Sequence, residues 1–337
     1  MKSLAFVLLF FLPLLSCSAK FQQAAVADAS VVALKDTISP PALVDTNRNK
    51  IVHFHLPYQL GKPQETFVLP QNLKEISGLS TTTNNREVLT AIQDEDGTLF
   101  HINKNTGKVE QEIPFYKPGD YEGIEVIGDK VYVVKSTGTL YEIKDLENAP
   151  PYVKKHKFFL SKANDVEGLC YDAKKNCLLL ACKGMPITGQ SEEFTKFQKA
   201  IYSFSLDSDT MEVKPSFIFN LSDIQDYLVG REAMAHYDKL YGYFNPDVEN
   251  LIFSPSAIAI HPITSHIYMT SSPKKILMVF DQKGNILHLE KMNKKFHPQP
   301  EGMTFDEDGT LYMANEGKGD GAGTILKFAY QPEIAEH

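Results

Sequence analysis

From about residue 62 onward, short apolar runs alternate with polar turns, and one arrangement returns at a fixed spacing. Ser77-Gly78-Leu79-Ser80, Glu122-Gly123-Ile124-Glu125-Val126, Glu167-Gly168-Leu169-Cys170-Tyr171-Asp172, Ser256-Ala257-Ile258-Ala259-Ile260 and Glu301-Gly302-Met303-Thr304-Phe305-Asp306 begin 45, 45, 89 and 45 residues apart. Each is followed by a turn and an apolar run that closes on a small or polar residue: 88–92, 131–134, 178–181, 267–270 and 311–314. A third run follows at 98–102, 139–143, 200–204, 276–280 and 324–328, and a weaker fourth in the first four units. Short strands with frequent turns, repeated at this period, are the signature of propeller blades. The doubled gap has room for a further blade, but 217–219 continues the third unit. Residues 223–240 then read as a helix, with Ile224, Tyr227, Leu228 and Met234 on one face and no Glu-Gly start. The pattern predicts an all-β, five-bladed β-propeller over residues 51–332 with one helical insertion at about 221–252. The last unit lacks an outer strand. Thr66-Phe67-Val68-Leu69 is expected to supply it and so protect the sheet edges.

The N-terminus follows another rule. Lys2 precedes an apolar run at 4–15, too short to span a bilayer and of signal-peptide length, so 1–16 reads as a signal peptide. It ends in Leu14-Leu15-Ser16-Cys17, which resembles a bacterial lipobox with Cys17 as the lipidated residue; an ordinary secretory signal with an incidental Cys is the alternative. Triacylation would give a stable membrane anchor. Ser18 rather than Asp follows the Cys, so nothing resembles an inner-membrane retention signal. Residues 17–50 form the lipidated Cys and a tether, Ala-, Ser- and Asp-rich with Pro40-Pro41. The expected location is the cell envelope, lipid-anchored and either periplasmic or surface-exposed, with the membrane as a partner. Net charge is −8 with Lys and Arg scattered, which argues against nucleic acid. If Lys174-Lys175 turns a hairpin, Cys177 faces Asp172 and Cys182 faces Glu167; Cys170, Cys177 and Cys182 then read as buried free thiols.

In a propeller the first strand of each blade lines the channel and the second runs back beside it. First-strand starts and second-strand ends therefore share a mouth. The starts bring Ser77, Glu122, Glu167, Ser256 and Glu301; the ends bring Gln93 and Asp94, Lys135, Lys183, Ser271, Asn315 and Glu316. Three carboxylates converging on one axis repel unless neutralised. Ca2+ among Glu122, Glu167 and Glu301 would do so, with hydroxyls, carbonyls or water completing its oxygen shell. Alternatively, Lys135 and Lys183 pair with Glu122 and Glu167. The Glu-Gly units can also serve the fold, the carboxylate accepting backbone N–H bonds from a neighbouring blade while Gly permits close approach. Asp94-Glu95-Asp96-Gly97 and Asp306-Glu307-Asp308-Gly309 lack the twelfth-position Glu of a calcium loop and read as hairpin turns. The Gly317–323 stretch reads as a loop, His261 and His297 as surface or turn residues, and Tyr121 and Tyr171 as packing residues.

The chain resembles the SdiA-regulated family of bacterial envelope proteins, distant relatives of NHL-repeat propellers. The resemblance covers about 62–330 and rests on Ile76-Ser77-Gly78-Leu79, Tyr121-Glu122-Gly123-Ile124, Val166-Glu167-Gly168-Leu169, Pro300-Glu301-Gly302-Met303 and Asp306-Glu307-Asp308-Gly309-Thr310-Leu311-Tyr312. It implies a five-bladed propeller with a calcium site and gives no established activity. Ser256-Ala257 departs from the Glu-Gly pattern, which leaves fewer carboxylates in the ring. The expected function is a non-catalytic, calcium-stabilised module that binds an unidentified small-molecule or protein ligand at the channel mouth. A Ca-dependent hydrolase of lactonase, esterase or phosphatase type is the alternative, with Asp94, Glu316 or His297 as base. A third possibility is a scaffold in an envelope assembly.

Overall fold

A computed structural model of the chain describes residues 54–81, 87–187 and 196–332. Cys17, the signal peptide and the tether up to residue 50 lie outside the described residues.

Five antiparallel sheets make up the described fold, four of four strands and one of five. Blade 1 comprises β2 (Ile76–Thr81), β3 (Val88–Gln93), β4 (Thr98–Asn103) and β5 (Val109–Pro114). Blade 2 comprises β6 (Tyr121–Ile127), β7 (Lys130–Lys135), β8 (Leu140–Lys144) and β9 (Tyr152–His156). In blade 3, β10 (Val166–Asp172), β11 (Cys177–Cys182) and β12 (Gln198–Ser205) are followed by an outer edge split into β13 (Thr210–Met211) and β14 (Phe217–Asn220), both paired with β12. Blade 4 holds β15 (Pro255–Ile260), β16 (Ile267–Ser271), β17 (Ile276–Phe280) and β18 (Ile286–Lys291). Blade 5 holds β19 (Pro300–Phe305), β20 (Leu311–Asn315) and β21 (Thr324–Phe328), and β1 (Glu65–Val68) is its outer strand. β1 pairs with β21 in the register Glu65↔Lys327 to Val68↔Thr324, so the ring closes as the sequence predicts.

Apolar side chains on both faces of each sheet fill the spaces between blades. One core cluster lies at each of the five junctions, for example Leu79, Leu89, Tyr312 and Ile325 between blades 1 and 5 and Val134, Leu169, Leu180 and Tyr202 between blades 2 and 3. Strands buried on two faces read as near-continuous apolar runs, which is why Leu178-Leu179-Leu180 and Ile276-Leu277-Met278-Val279 lack alternation. The inner strands must approach closely. A Cβ on Gly123 would lie 2.8 Å from Leu169 Cβ and 2.9 Å from the Leu169 backbone nitrogen in the next blade. Blade 4 has the small Ala257 at the equivalent position.

Two details differ from the sequence reading. The insertion is two short helices, α1 (Leu221–Leu228) and α2 (Tyr237–Phe244), not one continuous helix. Asp223 starts α1 by accepting the Asn220 N–H at 2.7 Å, and the chain turns away through Gly230 at φ 73° and His236 at φ 61°. The apolar face is the expected one: Ile224, Tyr227 and Leu228 are buried between blades 3 and 4, and Met234 packs against them. Second, Cys182 pairs with Val166 rather than Glu167, because a bulge at Glu167 shifts the register. Cys177 does face Asp172, and all three cysteines of this region are buried and free.

Candidate metal and ligand site at the hub

That bulge recurs at the same place in every blade. The ladder slips between Ile76 and Gly78, Tyr121 and Gly123, Val166 and Gly168, Pro255 and Ala257, and Pro300 and Gly302. The unpaired residue is Ser77, Glu122, Glu167, Ser256 or Glu301 in turn. A bulge bends the strand and re-aims a side chain, and four of the five, Ser77, Glu122, Glu167 and Glu301, line one narrow cavity on the axis. Its volume is about 10 Å3, near the minimum for a single water.

The two serines tie blade to blade. Ser77 Oγ donates to Tyr121 O and Ser256 Oγ to Pro300 O, both at 2.7 Å, so each bonds the start of the following inner strand. An ionised glutamate in the same slot cannot donate. Instead the carboxylates crowd one another. Burial, then Glu167 and Asp120, pushes the Glu122 carboxyl up to about 10. Burial and Glu167 push Glu301 up to about 8, partly opposed by a bond with Ser272. Glu167 is also raised, by burial, although Lys183 Nζ sits 2.7 Å from its Oε1 and 3.5 Å from Asp165. The second expected pair does not form. Lys135 stands opposite Tyr121 and lies over its ring at 5.3 Å, because the bulge turns Glu122 out of the cross-strand position.

Around this cavity the second strands end as the hairpin register requires: Gln93 pairs with Ile76, Lys135 with Tyr121, Ser271 with Pro255 and Asn315 with Pro300. Asp94 follows Gln93, and its N–H bonds Glu75 O at 3.3 Å. Burial, with Glu75 and Glu95, lifts the Asp94 carboxyl to about 6. Glu316 is raised by burial, Asp94 and Glu75, and it accepts a bond from Gln299. Ser271 Oγ accepts the Ser254 N–H at 2.9 Å. Asn315 is fully buried, with neither its side-chain oxygen nor its nitrogen bonded, and Asp94 Oδ1 is likewise buried without a partner.

The two histidines lie in turns, as expected, but not exposed. Both His261 and His297 are fully buried, not at the surface. His297 bonds Leu60 O at 2.9 Å through Nε2 and stacks on Phe328, with its buried Nδ1 unbonded. Tyr121 is a packing residue: it is fully buried and donates to Lys117 O at 2.8 Å.

A match to the SdiA-regulated family model runs over residues 65–228 and 245–318. The chain belongs to the SdiA-regulated family. No curated protein matches it significantly. Solved structures similar to this SdiA-regulated chain include a glutaminyl cyclase from Myxococcus xanthus, 10% identical, covering 80% of this chain and 95% of that one at TM-score 0.49. A PQQ-bound aldose sugar dehydrogenase from Streptomyces coelicolor is 12% identical, with 79% and 97% covered and a TM-score of 0.46. A streptogramin B lyase is 10% identical, with 78% and 71% covered and a TM-score of 0.40. Similarity this remote carries nothing about activity.

Sequence reasoning missed a second cluster in this SdiA-regulated propeller. Glu142 on β8, His156 on β9 and Asp209 beside β13 place ligand atoms within 4.8 Å of one another, close enough to hold a divalent ion. It is the one such trio among the described residues. His156 Nε2 lies 3.3 Å from Glu142 Oε2, and Nδ1 lies 3.5 Å from Asp209 Oδ1. Lys130 and Lys144 also reach Glu142 Oε1, at 3.1 and 2.9 Å, and Lys154 reaches Asp209. Burial opposes ionisation of Glu142, but the bonds from Lys144, Lys130 and His156 outweigh it and hold the carboxyl at about 2. Only the β8–β9 pairing, with Glu142 opposite Lys154, would have pointed to this cluster, and its third member comes from another blade.

Proposed function

We propose that the chain is an envelope-anchored propeller that holds a divalent cation, Ca2+ by its all-oxygen surroundings, at the Glu122, Glu167 and Glu301 hub, and that it hydrolyses a small ester-, lactone- or phosphate-like substrate there. The observation that carries this reading is the three carboxylates crowded on one narrow cavity, which raise one another's proton affinity. Asp94, whose charge also acts on Glu122, has a buried Oδ1 without a partner, and oxygen donors among mutually repelling acids fit a hard cation. The Glu142 cluster fits less well, because three lysines already balance its carboxylates.

A bound ion would act as a Lewis acid on a substrate oxygen. The chain supplies the rest. Asp94, lifted to about 6, is ionised at neutral pH yet still basic enough to take a proton from water, the balance a general base requires. Lys183 holds Glu167 in place and offsets one negative charge at the mouth. Glu316, fixed by Gln299, keeps a second carboxyl close to Asp94.

Calorimetric titration of the full-length chain with Ca2+ is expected to show one site, weakened at least about tenfold in Glu122→Gln and Glu301→Gln. Chromogenic lactones, carboxylic esters and phosphate esters are then tested with and without Ca2+. Asp94→Asn should lower kcat about a hundredfold while the metal still binds. Unchanged Ca2+ affinity in Glu301→Gln would overturn the metal site. Bound Ca2+ without turnover of any substrate class would leave the non-catalytic binding module, the reading that the Glu167–Lys183 pair favours by occupying one donor in advance.

A further inference from the structure

A cavity of about 430 Å3 lies at the opposite mouth, where all five inner strands end: Thr81 on β2, Val126 on β6, Asp172 on β10, Ile260 on β15 and Phe305 on β19 are in its wall. Its chemistry differs from the hub. Tyr171 and Phe305 give it aromatic surface, and Glu125, Asp172, Asp306, Glu307 and Asp308 give it five carboxyl groups, against Lys174 alone of the basic residues in the wall. Several of these groups are already engaged. Lys174 Nζ is 2.7 Å from Ser265 Oγ, Lys104 pairs with Asp306 at 2.6 Å, and Lys175 lies 3.4 Å from Asp172. The carboxylates are spread around the wall. The one trio of ligand atoms within 4.8 Å among the described residues lies elsewhere, so a bare metal ion is a poor fit here.

Two further observations point to an occupant. His261 in the wall is fully buried. Its Nδ1 accepts the Ile263 and Thr264 N–H groups, both at 3.2 Å, so Nε2 carries the proton, and this donor has no partner. A buried donor left unpaired is costly. Glu125, set deep in the wall, accepts a bond from Ser80 Oγ at 3.3 Å and is also bonded by the backbone of Tyr171 and Val126.

We infer that this mouth is a second binding site, for a small organic ammonium ligand that carries a hydrogen-bond acceptor: the ammonium against Glu125, Glu307 and Asp308, the acceptor toward His261, and the carbon skeleton on Tyr171 and Phe305. Such cations gain from an aromatic wall as well as from carboxylates. Burial holds the Glu125 carboxyl at about 8, so an ammonium arriving beside it would displace its proton.

The test uses the full-length chain and a fixed panel: glucosamine and ethanolamine, with glucose, N-acetylglucosamine and ethylene glycol as uncharged controls. Saturation-transfer NMR and calorimetry at pH 7 are expected to find at least one amine that binds and whose uncharged counterpart does not. Affinity should fall about tenfold or more in Glu125→Gln, and likewise in the rim variant Glu307→Gln/Asp308→Asn, in the exposed β19–β20 turn. Glu301→Gln, at the other mouth, should leave amine binding unchanged, which separates this site from the metal site. Failure of the whole panel to bind, equal binding of the uncharged controls, or unaltered affinity in both carboxyl variants would overturn the inference.

Discussion

At positions 77, 122, 167, 256 and 301 each inner strand carries one residue more than its partner can pair, and serine and glutamate use that slot in opposite ways. The serines spend their hydroxyls on the next blade; the glutamates accumulate charge. Without an ion, Glu122 and Glu301 keep protons in the folded chain, at about 10 and about 8, that an unfolded carboxyl near 4.5 has lost. Their folded values are raised, so their stabilising contribution is full below 4.5 and is lost as pH rises through 8 and then 10. The melting temperature of the metal-free chain is therefore expected to fall between pH 5 and pH 9, and saturating Ca2+ should restore it at pH 9. Binding at pH 7 should also release protons, measured by calorimetry in two buffers of different ionisation enthalpy. A flat pH profile would contradict the crowding. The repeat made these residues legible in the sequence, because Glu-Gly recurs at a fixed interval. The bulge did not show, since it depends on how two strands register, and neither did the burial of His261, whose surroundings include Tyr58 and Tyr330 from distant parts of the chain.

Between strands, the Glu142 cluster acts as a staple. β8 and β9 of blade 2 reach through His156 to Asp209, in the turn before β13 of blade 3. Replacing Glu142 with Gln leaves Lys130 and Lys144 without their carboxylate and should cost on the order of 2 kcal/mol in denaturant unfolding. Because the Glu142 carboxyl is depressed to about 2, its contribution is present above pH 4.5 and fades as pH falls toward 2, and the variant's deficit should shrink with it. The closing strand makes a second test. Phe67 on β1 is buried between blades 1 and 5, so Phe67→Ala should destabilise the chain by about 3 kcal/mol, seen as a lower unfolding midpoint. The strand was readable because blade 5 came up one strand short. The break between α1 and α2 was missed because the apolar periodicity runs through Gly230, whose φ of 73° only the backbone reveals.

Taken as a ring, the molecule has five apolar junctions and two mouths with different equipment. Blade number followed from spacing, since a 45-residue period leaves little freedom once the 89-residue gap is assigned to an insertion. The narrow mouth was also foreseeable, because its residues open the repeats. The wider mouth was not. Its wall is assembled from strand ends and hairpin turns contributed by all five units, including Asp172, Pro262, Gln282 and Glu307, and no shared motif marks them.

The ring closes by pairing Glu65 with Lys327, joined also by an ion pair across 262 residues of sequence. The strand synthesised first is thus needed last. β1 leaves the ribosome with no partner, and β21 can offer its free edge only when nearly the whole chain exists. Closure of so distant a pair is slow, and until then a bare strand edge on blade 5 is open to pairing with another chain. An exported protein that crosses a membrane unfolded would face this interval after crossing, when every blade is available at once and the waiting strand finds its place in a single closing step.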